Sequence, residues 1–171
     1  KDGITSQELK SIKYEAISAL NKVQASKGKG WLGWTDLPYN QKEIVADINA
    51  TAKTIRKTVK NFVVLGIGGS ALGPIAVFQA LCHLHYNDLP NKCRKGPKFY
   101  VEDNVDPERM KALLDVINVE ETVFNVITKS GATSETMTQY LIIYGILKKR
   151  LGDKAKDHII ATTSENAGNL I

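Results

Sequence analysis

Leu9, Ile12, Ala16, Leu20 and Val23 recur at spacings of three and four, one face of a 3.6-residue period, and predict a first helix. Thr5 and Ser6 are candidate N-caps, and Glu8 follows Thr5 by three residues, the spacing of a capping box. Lys27-Gly28-Lys29-Gly30 ends that pattern. Trp31, Leu32, Trp34, Leu37 and Pro38 are then too apolar for a solvated linker. They are expected to pack both indoles and pin the first helix to the rest of the chain. Ile44, Val45, Ile48, Ala52, Ile55 and Val59 predict a second helix, with Lys53, Arg56, Lys57 and Lys60 off that face as a solvated charged side.

The texture changes at Phe62. Phe62-Val63-Val64-Leu65 is a continuous apolar run ending in Gly66, which predicts a buried parallel strand. Residues 72–84 return to helical spacing. Phe99-Tyr100-Val101 forms the next strand, entered after Gly96-Pro97. Asp106 as N-cap and Pro107 at N1 open a helix through Met110, Leu113, Leu114 and Ile117. A strand over 123–127, a helix over 134–151 and a strand over 158–161 follow. Strands alternating with helices predict an α/β fold, an open parallel sheet with helices on both faces, preceded by two amino-terminal helices. Residues 1–60 are expected to be a helical segment packing on the domain, and residues 61–171 the domain itself.

Composition narrows the function classes. At 171 residues and 43% hydrophobic content, the chain has room for one globular domain and is not a disordered one. No apolar run reaches the roughly 20 residues of a membrane helix, and the first residues lack a signal peptide's apolar stretch. Two cysteines make no disulfide framework. Cys82, His83, His85 and Cys93 fit no standard zinc spacing, so no metal is expected. The net charge of +5 favours anionic partners without arguing for nucleic acid. The chain begins at Lys1 without Met and ends at Asn169-Leu170-Ile171 without a closing helix pattern, as expected of a piece of a longer protein.

Ligands of open parallel sheets bind beyond the carboxyl ends of the strands, so the residues after each strand carry the chemistry. Gly66-Ile67-Gly68-Gly69-Ser70-Ala71 joins a strand to a helix, where glycines let an anion approach the backbone and the helix N-terminus attracts it. The loop also satisfies GxGxxA, but a dinucleotide site needs an acidic residue about 20 residues later at the end of the next strand: Asp88 has the spacing but lies in a loop, and Glu102 and Asp103 end the strand but lie well over 30 residues after Gly66. Thr128-Lys129-Ser130-Gly131-Ala132-Thr133 also follows a strand and opens a helix. Its hydroxyls can converge on one anion; a serine- and threonine-rich helix cap would need only one or two of them. No Walker A pattern is present. Asp103, at a strand end, is expected to support loop geometry.

The first loop, continued through Leu72-Gly73-Pro74, resembles the first glycine-rich loop of the glucose-6-phosphate isomerase family. Residues 128–136 resemble that family's phosphate-binding signature. Asn104-Val105-Asp106-Pro107 and Leu32-Gly33-Trp34-Thr35-Asp36-Leu37-Pro38 are similar to two further stretches of it, the latter typical of bacterial members. The resemblance implies a sugar-isomerase (SIS) domain, a three-layer αβα sandwich on a five-stranded parallel sheet. It implies an enzyme that is a cytoplasmic homodimer of two such domains per chain, interconverting glucose 6-phosphate and fructose 6-phosphate without cofactor or metal. It also implies substrate-phosphate contacts from Ser70, Thr128, Lys129, Ser130 and Thr133, and pocket backbone from Gly68, Gly69 and Gly131. Thr128 stands where the family usually has Ser, and Ala132 where Thr is common. The family's catalytic Glu, its ring-opening His and Lys, and a substrate-facing Arg match no position here, so no catalytic residue is expected within the chain. Two other readings compete: a stand-alone SIS module that binds sugar phosphates for regulation, and a dinucleotide-dependent oxidoreductase, which the missing acidic residue disfavours.

Overall fold

The computed structural model describes residues 3–164. The chain divides into two compact units, Lys1–Ala50 and Thr51–Ile171.

In the first unit the expected capping box forms. Thr5 Oγ1 accepts from the Glu8 amide, and Glu8 Oε2 accepts from the Thr5 amide at 2.8 Å. The first predicted helix is two: α1, Ser6–Ser11, and α2, Lys13–Ala25, meet at Ile12. Ser11 Oγ donates to the Glu8 carbonyl, a side-chain bond of the kind that competes with the helical ladder. The apolar residues of this face stay about half exposed, Leu20 at 54%. The tryptophan stretch is wound into a 3₁₀ turn, Gly30–Asp36, and a short helix α3, Leu37–Asn40. Thr35 Oγ1 holds that turn, donating to the Leu32 carbonyl and accepting from the Gly28 amide. Trp31 is 94% exposed and Trp34 65%, contrary to the expected packing of both indoles. Helix α4, Lys42–Thr58, is the second predicted helix, and the boundary between the two units falls inside it.

The second unit is an α/β layer structure. Its strands are β1, Asn61–Leu65; β2, Lys98–Glu102; β3, Thr122–Ile127; and β4, Ile159–Thr162. All pair in parallel, in the order β2-β1-β3-β4. The described residues thus form four strands, where the family resemblance implied five. Three helices alternate with them: α5, Gly69–Leu81; α6, Pro107–Val116; and α7, Ser134–Leu151. Helix α5 starts three residues earlier than the apolar spacing indicates, because Gly68 takes the N-cap position. The fourth strand starts one residue later than expected. His158 ends a 3₁₀ turn instead, its Nδ1 lying 2.8 Å from the Thr122 carbonyl.

The core lies between the sheet and two helices. Val63, Leu65, Phe124 and Val126 from the central strands meet Met110 and Leu113 of α6 and Ile143 and Leu147 of α7. Both central strands are buried, which is why β1 reads as the continuous apolar run 62–65 and β3, over 123–127, as apolar residues broken only at Asn125. Among the described residues no helix is long and apolar enough to cross a membrane.

Candidate functional site

The strand order decides where the site can be. From β1 the chain moves to β2 on one side and then to β3 on the other. The loops after β1 and β3 therefore leave adjacent strands in opposite directions and open a crevice, the switch point where ligands of such sheets bind. Leu65 is in register with Val126, so the loops at 66–70 and 128–133 start side by side, about 5 Å apart.

The first loop is built by backbone. Gly68 has φ +54°, a region that side-chain-bearing residues avoid, and its carbonyl accepts from the Ala71 and Leu72 amides at 3.0 and 2.9 Å. The Gly66 amide donates to the Glu102 carbonyl at 3.2 Å, tying the loop to the end of β2. A Cβ on Gly66 would come within 3.0 Å of Ser70 Cβ. Gly69 and Ser70 form the first turn of α5, and Gly68, at the N-cap, supplies no capping side chain.

The second loop is built by hydroxyls. Thr128, 2% exposed, accepts from the Gly131 amide at 3.2 Å, and its Oγ1 lies 3.1 Å from Thr133 Oγ1. Ser130 Oγ accepts from the Ala132 amide at 3.2 Å, and Gly131 turns the chain with φ +65°. The loop is anchored to β4 and the residues after it. The Thr128 amide donates to the Thr162 carbonyl, and Ser164 Oγ donates to the Lys129 carbonyl at 3.1 Å. Thr133 is the N-cap of α7 but makes no side-chain cap bond, its hydroxyl being turned to Thr128.

Helix α6 behaves differently. Asp106 Oδ1 accepts from the Glu108 and Arg109 amides, so this N-terminus is satisfied within the chain. At α5 and α7 no side chain does this. In α5 the Ser70 and Ala71 amides donate to the Ile67 and Gly68 carbonyls, which leaves the Gly69 amide; in α7 the first-turn amides at the crevice end of the sheet can donate to an anion.

The structure thus brings Gly68, Gly69 and Ser70 to one side of the switch point and Thr128, Lys129, Ser130, Gly131 and Thr133 to the other. Thr128 lies buried beneath its loop, whereas Lys129 and Ser130 are exposed.

Two features escape a reading of the sequence. Arg109, exposed on α6, reaches back to the end of β2. Its Nε lies 3.4 Å from Glu102 Oε2 and its Nη1 3.2 Å from Asp103 Oδ1. Burial pushes the Glu102 carboxyl above the usual glutamate range, with Arg109 pulling the other way. The second is Gln139, buried on α7, whose Nε2 donates to the Asn104 carbonyl at 2.8 Å. Thr136 and Gln139 fall in phase with Ile143 and Leu147 at helical spacing, a signal that was available in the sequence.

The chain matches the phosphoglucose isomerase family over residues 37–169. It is 52% identical over 170 residues to the glucose-6-phosphate isomerase of Carboxydothermus hydrogenoformans, covering 99% of this chain and 37% of that protein. It is 36% identical over 169 residues to that of Rubrobacter xylanophilus, covering 98% and 38%. Among solved structures, a hypothetical protein from Thermus thermophilus superposes with a TM-score of 0.77 at 31% identity, over 96% of this chain and 37% of that one. A glucose-6-phosphate isomerase from Chlamydia trachomatis gives 0.62 at 25% identity, over 74% and 23%. The chain thus spans little more than a third of the length of these two curated relatives. A parallel sheet flanked by helices, with its hydroxyl loop and glycine loop inside the matched residues, places the chain in the phosphoglucose isomerase family.

Proposed function

We propose that the chain forms the phosphate-binding part of a glucose-6-phosphate isomerase, with Ser70, Thr128, Lys129, Ser130 and Thr133 serving the substrate phosphate and the backbones of Gly68, Gly69 and Gly131 lining its pocket. The observation that carries this reading is the pair of helix N-termini, α5 and α7, that receive no side-chain cap and flank one switch point. Ser70, Ser130 and Thr133 stand at the mouth as direct donors. Thr128, buried and hydrogen-bonded to Gly131 and Thr133, orients the Thr133 hydroxyl from below. Lys129 adds the positive charge. The phosphate anchors a sugar whose open chain passes a proton between C2 and C1 through an enediol. The general base for that step is assigned to residues outside 1–171, and no catalytic residue within them. The whole protein is read as a cytoplasmic homodimer that needs no cofactor, and residues 1–60 as a helical segment packing on the SIS domain.

Thermal unfolding with sulfate, phosphate and glucose 6-phosphate, against chloride at equal ionic strength, tests the cradle. An anion at about 100 times its dissociation constant stabilises the chain by about 2.7 kcal/mol. The double variant Ser130→Ala, Thr133→Ala loses most of that gain. Equal responses to all four salts in both proteins would overturn the reading. A coupled assay completes it: residues 1–171 show no isomerase turnover, and measurable turnover by the purified chain refutes the assignment of the base.

A further inference from the structure

A primary amide in the apolar stripe of a buried helix face needs a reason, because desolvating it costs free energy that only hydrogen bonds return. Gln139 is 2% exposed on α7, in line with Ile143 and Leu147, which enter the core. Its Nε2 donates to the Asn104 carbonyl at 2.8 Å, across 35 residues of sequence. Its Oε1 is buried and, like Thr136 Oγ1 three residues before it, has no hydrogen-bond partner among the described residues. The amide is therefore only half satisfied, and an apolar side chain of the same length would suit the stripe better. What the amide adds is a tether to the loop between β2 and α6.

Other bonds hold that loop at its two ends. Arg109 binds Glu102, Asp103 and the Val101 carbonyl from α6. The Glu102 carbonyl accepts the Gly66 amide, so the position of the β2 end is passed to the glycine loop. Helix α7 carries the hydroxyl loop at its N-terminus, about one and a half turns before Gln139. Three ligand-side loops are thus connected in a line: 128–133 through α7 and Gln139 to Asn104, and through the end of β2 to 66–70.

We propose that Gln139 is a positioning residue: it sets the spacing between the phosphate cradle and the β2–α6 loop, so that a ligand longer than phosphate meets both. The ligand rests on the sugar-phosphate reading above; the tether does not.

The test uses the full chain, with Gln139→Met and Gln139→Glu. Met keeps length and removes both the donor and the unsatisfied Oε1. Asn104 is exposed, and its carbonyl can turn to water, so the melting temperature stays at or above that of the parent. In amide exchange, the Val105 amide, which donates to Asn104 Oδ1, loses protection about fivefold or more in Gln139→Met, while the core strands keep theirs. By calorimetric titration, inorganic phosphate binds within about twofold of the parent and glucose 6-phosphate about fivefold more weakly. In Gln139→Glu the buried carboxyl is protonated as pH falls, its O–H again donates to Asn104, and protection at Val105, corrected for intrinsic exchange, returns. Unchanged exchange at Val105 in both variants overturns the tether. Equal weakening of both ligands, or of neither, overturns the positioning role. If the parent binds neither ligand, the sugar-phosphate reading and the positioning role built on it both fail, and the exchange result still decides the tether.

Discussion

The two loops at the switch point present amides and hydroxyls to the same crevice but are made in opposite ways. Residues 66–70 take their shape from what is missing: no Cβ at Gly66, where Ser70 crowds in, and none at Gly68, whose φ is +54°. The Ser70 hydroxyl is not what shapes that turn. Residues 128–133 take their shape from side chains, with the buried Thr128 hydroxyl joining the Gly131 amide to Thr133. A backbone-built loop tolerates changes of hydroxyl and fails when a methyl is added. A hydroxyl-built loop fails when an oxygen is removed.

The largest effect is expected at Gly66. In Gly66→Ala the new methyl lies 3.0 Å from Ser70 Cβ and 3.2 Å from the Ser70 carbonyl oxygen, on a strand end that cannot retreat from the sheet. A loss of about 3 kcal/mol in urea unfolding is expected. Thr128→Val comes next. It leaves the buried Gly131 amide without its acceptor and costs about 1–2 kcal/mol in the same measurement. Ser70→Ala, the matching deletion in the other loop, stays within about 0.5 kcal/mol of the parent. A Ser70→Ala loss as large as that of Thr128→Val would erase the distinction between the loops.

Much of this molecule could be read from local pattern. The buried strands are rich in β-branched and aromatic residues, and the caps at Thr5 and Asp106 are set by residues at most three positions away. Helix α7 runs Ser134–Leu151, as its pattern indicates. What escaped depends on distant partners. The order β2-β1-β3-β4 is a matter of which runs pair, and no single run records it. A glutamine in a helix ordinarily faces solvent, and the acceptor that meets the buried Gln139 amide is the Asn104 carbonyl, 35 residues earlier. Both candidate loops were visible as glycine and hydroxyl clusters, but their adjacency came with the sheet.

The smallest effect sharpens the comparison from behind the first loop, where the Glu102 backbone accepts the Gly66 amide. The carboxyl of Glu102 has its pKa raised by burial. A raised folded-state value means that its contribution to stability is fully present below the ordinary glutamate pKa and is lost as pH rises through the folded one. Urea midpoints between about pH 4 and 7 should fall by a small step that Glu102→Gln removes. The same step persisting in the variant would show that another group causes it. Thr128→Val should leave it untouched, since among the described residues the Thr128 hydroxyl bonds Gly131 and Thr133, within its own loop.

The sheet order also sets a timetable for the nascent chain. Asn61 pairs with Lys98 on one side and with Thr122 on the other. At roughly 5–20 residues per second, the first partner is synthesised about 2–7 s after Asn61 and the second about 3–12 s after it. Phe62-Val63-Val64-Leu65 therefore leaves the ribosome with both edges open. Its crevice-side edge waits longer, in a state suited to chaperones that grip extended apolar segments. The seam that forms the binding crevice is thus the later of the two that β1 makes during translation.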